Sequence, residues 1–279
     1  MNSFSPEWLA LREPADHRSR NPDVLAALRT IFSGQETTRI VDLGCGTGSN
    51  LRATSHYLGR KQHWLLVDHD PHLLSAARQQ LVAWADVADE EGTILSIEKE
   101  GRALVVAFRQ ADLAADLEDV LAAGADLVTA AALFDLVSIA WIERFARAVA
   151  SRRAAFYTAL TYNGVEIWHP PHPADADVLA AFNDHQITDK GFGPSAGPRA
   201  TDALVRDFRA AGYDVRTGDS PSHLGTEEAP LIRDVVDCVV QAARDTGRLG
   251  EDRIADWLAA RSAGATCSIG HTDLLAIPP

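Results

Sequence analysis

Apolar and polar positions along this chain follow two periods: short runs rich in Val, Leu, Ile and Phe, and longer segments with apolar residues three or four apart. The short runs predict strands at Arg39 to Asp42, Trp64 to Asp68, Ala103 to Phe108, Asp126 to Ala132, Ala154 to Leu160, Tyr213 to Thr217 and Thr266 to Ile277. The longer period predicts helices between them. One, Pro22 to Phe32, precedes the first strand, and a second opens at Ser49-Asn50-Leu51-Arg52 and stops near Gly59. Leu73, Leu74, Ala77 and Leu81 make one face of a helix over Pro71 to Ala88; Pro71 suits its first position and Asp70 reads as its N-cap. Further helices run from Leu136 to Ala150 and from Thr201 to Ala211, the latter ending at Gly212.

Two stretches interrupt this alternation. Asn163 to Ala200 is much longer than an ordinary connection, carries Trp168, Phe182 and a Gly191-Phe192-Gly193-Pro194 turn, and predicts a cap over a substrate pocket with a short helix at Ala174 to Asn183. Pro230 to Ala263 separates the sixth strand from the seventh, and its apolar stripe of Leu231, Val235, Cys238 and Val239 reads as core. Regular alternation of strand and helix places the chain in the α/β class. The expected fold is a doubly wound, Rossmann-like seven-stranded sheet with helices on both faces, a cap insertion after strand five and a helical insertion between strands six and seven. A single domain is expected over 1–279: a helical segment 1–37, a ligand-binding core 38–162, the cap 163–200 and the rest of the sheet 201–279.

Candidate chemistry concentrates at Ile40-Val41-Asp42-Leu43-Gly44-Cys45-Gly46-Thr47-Gly48, a strand running into a Gly-x-Gly-x-Gly turn. Glycines there permit positive φ and let a ligand approach the backbone closely. The second strand ends in Asp68, where a βαβ unit grips ribose hydroxyls. A dinucleotide fingerprint needs its third glycine at position 49, where Ser49 stands. The chain resembles the class I S-adenosylmethionine-dependent methyltransferases, whose first motif is similar to Val41-Asp42-Leu43-Gly44-Cys45-Gly46-Thr47-Gly48 and whose second is similar to Leu66-Val67-Asp68-His69-Asp70-Pro71. Arg109-Gln110-Ala111-Asp112-Leu113 and Asp126 to Ala132 resemble the third and fourth.

That resemblance implies S-adenosyl-L-methionine as cofactor, lying against Asp42, Gly44, Cys45, Gly46 and Gly48. It assigns Asp68, with His69 beside it, to the ribose, and Asp112 or its neighbouring backbone at Leu113 to the adenine amino group. Ala130 near the end of the fourth strand is placed beside the sulfonium and acceptor. The implied reaction is in-line methyl transfer to O, N, C or S, in which alignment and exclusion of water supply much of the acceleration. Where the nucleophile carries a proton, Asp135, Glu166, His169 and His185 are the candidate catalytic bases. Asp135 follows strand four at the ligand-binding edge of a parallel sheet and reads equally as a cap for the next helix.

Composition narrows the acceptor. With 26 basic against 39 acidic residues, a net charge of −13, the chain lacks the basic surface that nucleic acid demands. Arg12, Arg18 and Arg20 read as a solvated helix or an anion site. Cys45, Cys238 and Cys267 show no framework spacing, Met1 is followed by no basic, apolar leader and no run spans a bilayer, so a cytoplasmic location is expected without membrane partners. The prolines of His169-Pro170-Pro171-His172-Pro173 deny these histidines adjacent helical turns, so no metal site is expected. A methyltransferase with a small-molecule acceptor is the expected function. The alternatives are a protein or RNA methyltransferase and a noncatalytic cofactor-binding partner; oligomeric state is open.

Overall fold

In a computed structural model, residues 5–279 are described; residues 1–4, where the leader segment would begin, lie outside that range. Helices α1 (Pro6–Ser19) and α2 (Pro22–Phe32) lead into β1 (Thr37–Leu43), followed by α3 (Ser49–Thr54), β2 (Lys61–Asp68) and α4 (Pro71–Trp84). Next come β3 (Val87–Glu91), β4 (Ile94–Lys99), β5 (Arg102–Gln110), α5 (Leu117–Leu121), β6 (Leu127–Ala131), α6 (Ile139–Ala150) and β7 (Ala155–His169). The chain finishes with α7 (Asp175–Gln186), α8 (Ala200–Ala210), β8 (Asp214–Asp219), β9 (Ser222–Leu224), α9 (Ala229–Thr246), α10 (Glu251–Ser262) and β10 (Thr266–Ile277).

All the strands join one ten-stranded sheet in the order β3-β4-β5-β2-β1-β6-β7-β10-β8, with β9 on β10. The seven expected strands are its centre, β5-β2-β1-β6-β7-β10-β8, parallel from β5 to β7 and antiparallel through β10 and β8. The larger count comes from the β3–β4 hairpin on the β5 edge and the short β9. β3 takes the place of the expected tail of α4, which stops at Trp84; every β3 residue is exposed. Local signals hold where a cap exists: Asp70 Oδ1 accepts the His72 N–H at 2.8 Å before Pro71, and Asn21 Oδ1 accepts two N–H groups before Pro22.

Two apolar layers cover the sheet. α2, α3 and α4 bury Leu28, Phe32, Leu51, Leu74 and Leu81 on one face against Ile40, Trp64 and Leu66. On the other face, α5, α6 and α8 bury Phe145 and Phe208 against Phe156, whose ring stacks on Phe208 at 5.1 Å.

A third cluster explains both interruptions of the pattern. The predicted cap does not begin as a loop: β7 continues to His169, and its second half pairs with β10 across a bulge, Tyr162 opposite His271, Glu166 opposite Ile269 and Trp168 opposite Cys267. On one face of this extension α7, α9 and α10 form a helical layer around Trp168, Val178, Leu231, Val239 and fully buried Trp257. The stripe on α9 is therefore core at Leu231 and Val239, with Val235 packed against them and Cys238 exposed. The indoles of Trp168 and Trp257 meet edge to face at 5.3 Å, and Trp257 Nε1 donates to Asp175 Oδ1 at 2.7 Å. Segments 163–200 and 230–263 thus build one layer at the end of the sheet where the parallel strands finish.

Candidate functional site

The turn after β1 is shaped by backbone. Gly44, Gly46 and Gly48 have φ of 63°, 52° and 77°, in the left-handed region that side chains resist. Cys45 N–H reaches back to the Val67 carbonyl at 3.0 Å, and Gly46 N–H donates to Asp68 Oδ2 at 2.9 Å, so the turn closes on the end of β2. The other oxygen of Asp68 accepts the Asp70 N–H at 3.0 Å, and the His69 ring lies 3.4 Å from it. Asp68 is 5% exposed yet held by two backbone donors, each oxygen keeping acceptor capacity for a ligand. A side chain at Gly44 would meet Leu133 Cδ1 at 3.3 Å and one at Gly46 would meet Leu9 Cδ1 at 3.2 Å. At Gly48 the neighbours are Ala77 Cβ, Arg52 Nη1 and Leu81 Cδ1, each at 3.6 Å.

Beneath it a buried polar network fixes the start of α3. Asn50 Nδ2 donates to Asp42 Oδ1 at 2.7 Å and to Thr129 Oγ1 at 3.1 Å, while its carbonyl accepts from Arg20 at 2.9 Å. Burial pushes the Asp42 carboxyl up to about 7, with the Asn50 bond and the Arg20 charge opposing the shift. Asp42 and Ala130 are fully buried inside neighbouring strands, and Cys45 is buried in the turn, where burial raises its thiol. Asp112 is exposed after β5, its Oδ1 accepting the Ala114 N–H at 2.9 Å; buried Leu113 gives its carbonyl to the indole of Trp141 at 2.8 Å.

Asp135 lies two residues beyond Leu133, the residue that reaches Gly44. Ser138, not Asp135, caps α6, its Oγ accepting the Trp141 N–H at 3.2 Å, so the capping alternative for Asp135 is removed. Asp135 is 8% exposed, and its Oδ1 is buried with no hydrogen-bond partner. Burial pushes its carboxyl up to about 6, opposed by its own backbone N–H, by Arg12 and by the backbone of Tyr162. Tyr162 on β7 donates its hydroxyl to Asn183 Oδ1 at 3.0 Å, and the charges of Glu166 and Asp135 both bear on it. Glu166 is half-buried on the same face of β7; burial pushes it up to about 7, and the Trp168 indole donates to it at 3.2 Å. Opposite Tyr162, buried His271 is pushed down to about 4 by burial and by Arg12. Ala132 and Leu160, non-glycine residues at φ of 50° and 59°, flank this group, as strained backbone tends to do at functional ends of sheets.

The structure therefore groups Asp135 with Tyr162, Glu166 and His271, and places the two predicted histidines outside. His169 is exposed at the outer end of β7, opposite Thr266. His185 ends α7 beside Lys190 and 3.6 Å from Asp245. Sequence reading missed Leu9 of α1, whose only buried residue is Ala15 and which therefore shows no apolar face; of the arginines read as a solvated helix or an anion site, Arg12 is engaged by Asp16 and Arg20 is buried against Asn50. Tyr162 and His271 had a usable signal: the period-two runs Tyr162, Gly164, Glu166, Trp168 and Cys267, Ile269, His271.

No family model and no curated protein matches the sequence. Solved structures do match. A cyclopropane-fatty-acyl-phospholipid synthase-like protein from Lactobacillus casei superposes with a TM-score of 0.55 at 17% identity, covering 96% of this chain and 92% of that one. A cyclopropane synthase from Mycobacterium tuberculosis superposes with a TM-score of 0.51 at 10% identity, covering 98% and 94%. At such identities the likeness concerns the fold alone. Joined to the strand order and the glycine turn closing on Asp68, it shows that this chain has the fold of the class I S-adenosylmethionine-dependent methyltransferases.

Proposed function

We propose that the chain is an S-adenosyl-L-methionine-dependent methyltransferase acting on a small-molecule acceptor. The observation that carries the reading is the turn Gly44 to Gly48, with three positive φ values, closing on the carboxylate of Asp68. The residues present fit the cofactor: a backbone cradle at Gly44 and Gly46 that a Cβ would crowd, and a carboxylate fixed at the end of β2, while the Arg52 guanidinium at the turn is engaged by the Thr47 carbonyl and by Glu13. Asp68 would take the ribose hydroxyls, with His69 at its rim; Asp112 and the backbone of Leu113 would face the adenine, and Ala130 would line the floor. When bound, the cofactor supplies a methyl group on a sulfonium, an activated group with a good leaving atom.

The chain's own contribution is binding, orientation and exclusion of water. Leu9 and Leu133 bring apolar surface over the turn, and the helical layer of α7, α9 and α10 covers one face of the β7 extension where an acceptor would lie. This enclosure supports a small acceptor, and the net charge of −13 argues against nucleic acid. No described helix is long and apolar enough to cross a membrane. Three free cysteines, two of them buried, support placement in a reducing compartment such as the cytoplasm.

The test is calorimetric titration of the purified protein with S-adenosylhomocysteine, followed by incubation of a metabolite extract with methyl-labelled cofactor. Binding at one site per chain and transfer of label to a low-molecular-weight product are the expected results. Failure to bind removes the reading; binding without transfer reduces it to a cofactor-binding protein.

A further inference from the structure

The group around Tyr162 has a charge and a shape that its role as a cover does not require. Three carboxylates surround it: Asp16 on α1, Asp135 after β6 and Glu166 on β7. The Arg12 guanidinium acts on Asp135 and is already engaged by Asp16, through Nε to Oδ2 at 2.7 Å and Nη2 to Oδ1 at 3.2 Å. His271 adds no charge near neutrality, since burial holds it down at about 4. With Arg12 engaged by Asp16, burial holds Asp135 up to about 6 and Glu166 up to about 7, and a cation placed between them would favour their ionised forms.

Two observations show that these carboxylates keep unfilled acceptor positions. Asp135 Oδ1 is buried without a hydrogen bond, in a side chain 8% exposed. Leaving such an acceptor unmatched costs on the order of 1–3 kcal/mol, which a donor supplied by a ligand would recover. Glu166 has a single donor, the Trp168 indole at 3.2 Å, which leaves most of its acceptor capacity open. Between the two carboxylates stands an aromatic wall: Tyr162 meets Phe182 edge to face at 5.7 Å and His271 at 6.3 Å. Aromatic faces beside carboxylates receive organic cations, through the ring quadrupole and through charge-assisted hydrogen bonds. The group adjoins the glycine turn, because Leu133 reaches Gly44, while α1 sends Leu9 to Gly46 and Arg12 towards Asp135.

We propose that Asp135 and Glu166 are the two sides of the acceptor-binding site, and that the acceptor is a small organic amine whose cationic nitrogen lies between them against Tyr162. The proposal rests on the methyltransferase reading for the adjoining cofactor and deepens it. An apolar, fatty-acyl acceptor would leave Asp135 Oδ1 buried without a donor and Glu166 with the Trp168 indole alone, which sets this site apart from a lipid channel.

The experiment is ligand capture. Protein saturated with S-adenosylhomocysteine is equilibrated with a cellular metabolite extract and separated from free solute by rapid gel filtration, and the retained molecules are identified by mass spectrometry. The wild type should retain one or a few amines that are cationic at neutral pH. The double variant Asp135→Asn, Glu166→Gln should retain them at least about tenfold less, a loss of about 1.4 kcal/mol or more, while retaining the same amount of S-adenosylhomocysteine. The single carboxamide variants, close in shape to the native side chains, provide folded proteins if the double variant does not fold. Retention of fatty-acyl or anionic molecules, retention of no amine, or equal retention of the amine by every folded variant overturns the proposal and leaves the cofactor reading intact. Loss of S-adenosylhomocysteine from the wild type would instead strike the cofactor reading.

Discussion

The glycine turn and the extension of β7 adjoin one another, yet they handle buried polar groups in opposite ways. At the turn, Asp68 is fixed by the N–H groups of Gly46 and Asp70, and the conformation is set by three glycines at positive φ. The donors to Asp68 there are backbone N–H groups. Along the extension the polar atoms come from α1, the loop after β6, β7 and β10, and Asp135 Oδ1 is left without a partner. A ligand shared by many proteins can be met by backbone, which is completed before the ligand arrives. An acceptor particular to one protein must be met by side chains, whose hydrogen bonds the acceptor itself completes.

The sharpest way to break this comparison is to damage the helical layer and ask whether the turn still works. Trp257 is fully buried, packed on Trp168 and bonded to Asp175. Trp257→Ala is expected to lower unfolding stability by about 3–5 kcal/mol in chemical denaturation. Calorimetry on the remaining folded protein should show S-adenosylhomocysteine affinity within about 0.5 kcal/mol of wild type, as for independent sites. A large loss of affinity would mean that the layer holds the turn in place and that the two regions are one.

Damage to the turn should have the converse effect. Gly46→Val puts a branched side chain at a φ of 52° with its Cβ 3.2 Å from Leu9 Cδ1. Affinity for S-adenosylhomocysteine should fall by about a hundredfold or more, about 2.7 kcal/mol, in a protein that circular dichroism reports as folded. Unchanged affinity would remove the backbone cradle from the argument. Asp68→Ala should cost about 1.5–3 kcal/mol of the same affinity, the range for hydrogen bonds to a charged group, and it also frees the Gly46 N–H that closes the turn.

A pH experiment sharpens the comparison from beneath the turn. Burial raises Asp42 to about 7 from its ordinary 3.8, with Arg20 and Asp68 as the charges that act on it. Between those values the folded state keeps a proton that the unfolded chain has lost, so the Asp42 contribution to stability falls as pH rises. Asp42→Asn keeps an oxygen for the Asn50 amide and has no such titration. The variant should therefore gain on wild type by about 2 kcal/mol between roughly pH 5 and 7, read from denaturation midpoints at both. A constant difference would show that Asp42 is ionised throughout and matched by Arg20.

Legibility in the sequence follows the same division. The strand end and turn, Ile40 to Gly48, are nine consecutive residues, and glycine spacing favours positive φ, so Gly44, Gly46 and Gly48 could be read as a unit, with Asp68 twenty residues on at the end of the next strand. The proposed acceptor group is assembled from positions 12, 135, 162, 166 and 271, and local spacing joins only Tyr162 and Glu166. The extension of β7 was hidden because Asn163-Gly164 interrupts the apolar run and because Val165 and Ile167, its outward residues, are exposed apolar side chains. The edge strand β3 was hidden for another reason. Val87-Ala88-Asp89-Glu90-Glu91 is exposed and acidic, which reads as a helix tail and serves on a sheet edge as a guard against further pairing. Asp135 was placed correctly after the fourth strand, but its alternative as a cap could be decided only once Ser138 was seen to bond the Trp141 N–H.

The smallest expected effect separates two carboxylates that stand two residues apart. Asp70 is 2.8 Å from the His72 N–H and caps α4, whereas Asp68 faces back to the turn. Asp70→Ala should cost about 1 kcal/mol of folding stability, the usual value for a lost N-cap. Its backbone N–H, which bonds Asp68 Oδ1 at 3.0 Å, survives the substitution, so the ribose carboxylate keeps its support. Affinity for S-adenosylhomocysteine should therefore stay within about 0.5 kcal/mol of wild type, as expected of a change that leaves the binding groups in place. Denaturation and calorimetry on the same preparations of both variants test the pair together. Affinity that followed Asp70 and stability that followed Asp68 would place the ligand one turn further along the chain, over the start of α4, and the backbone cradle at Gly46 would lose its carboxylate.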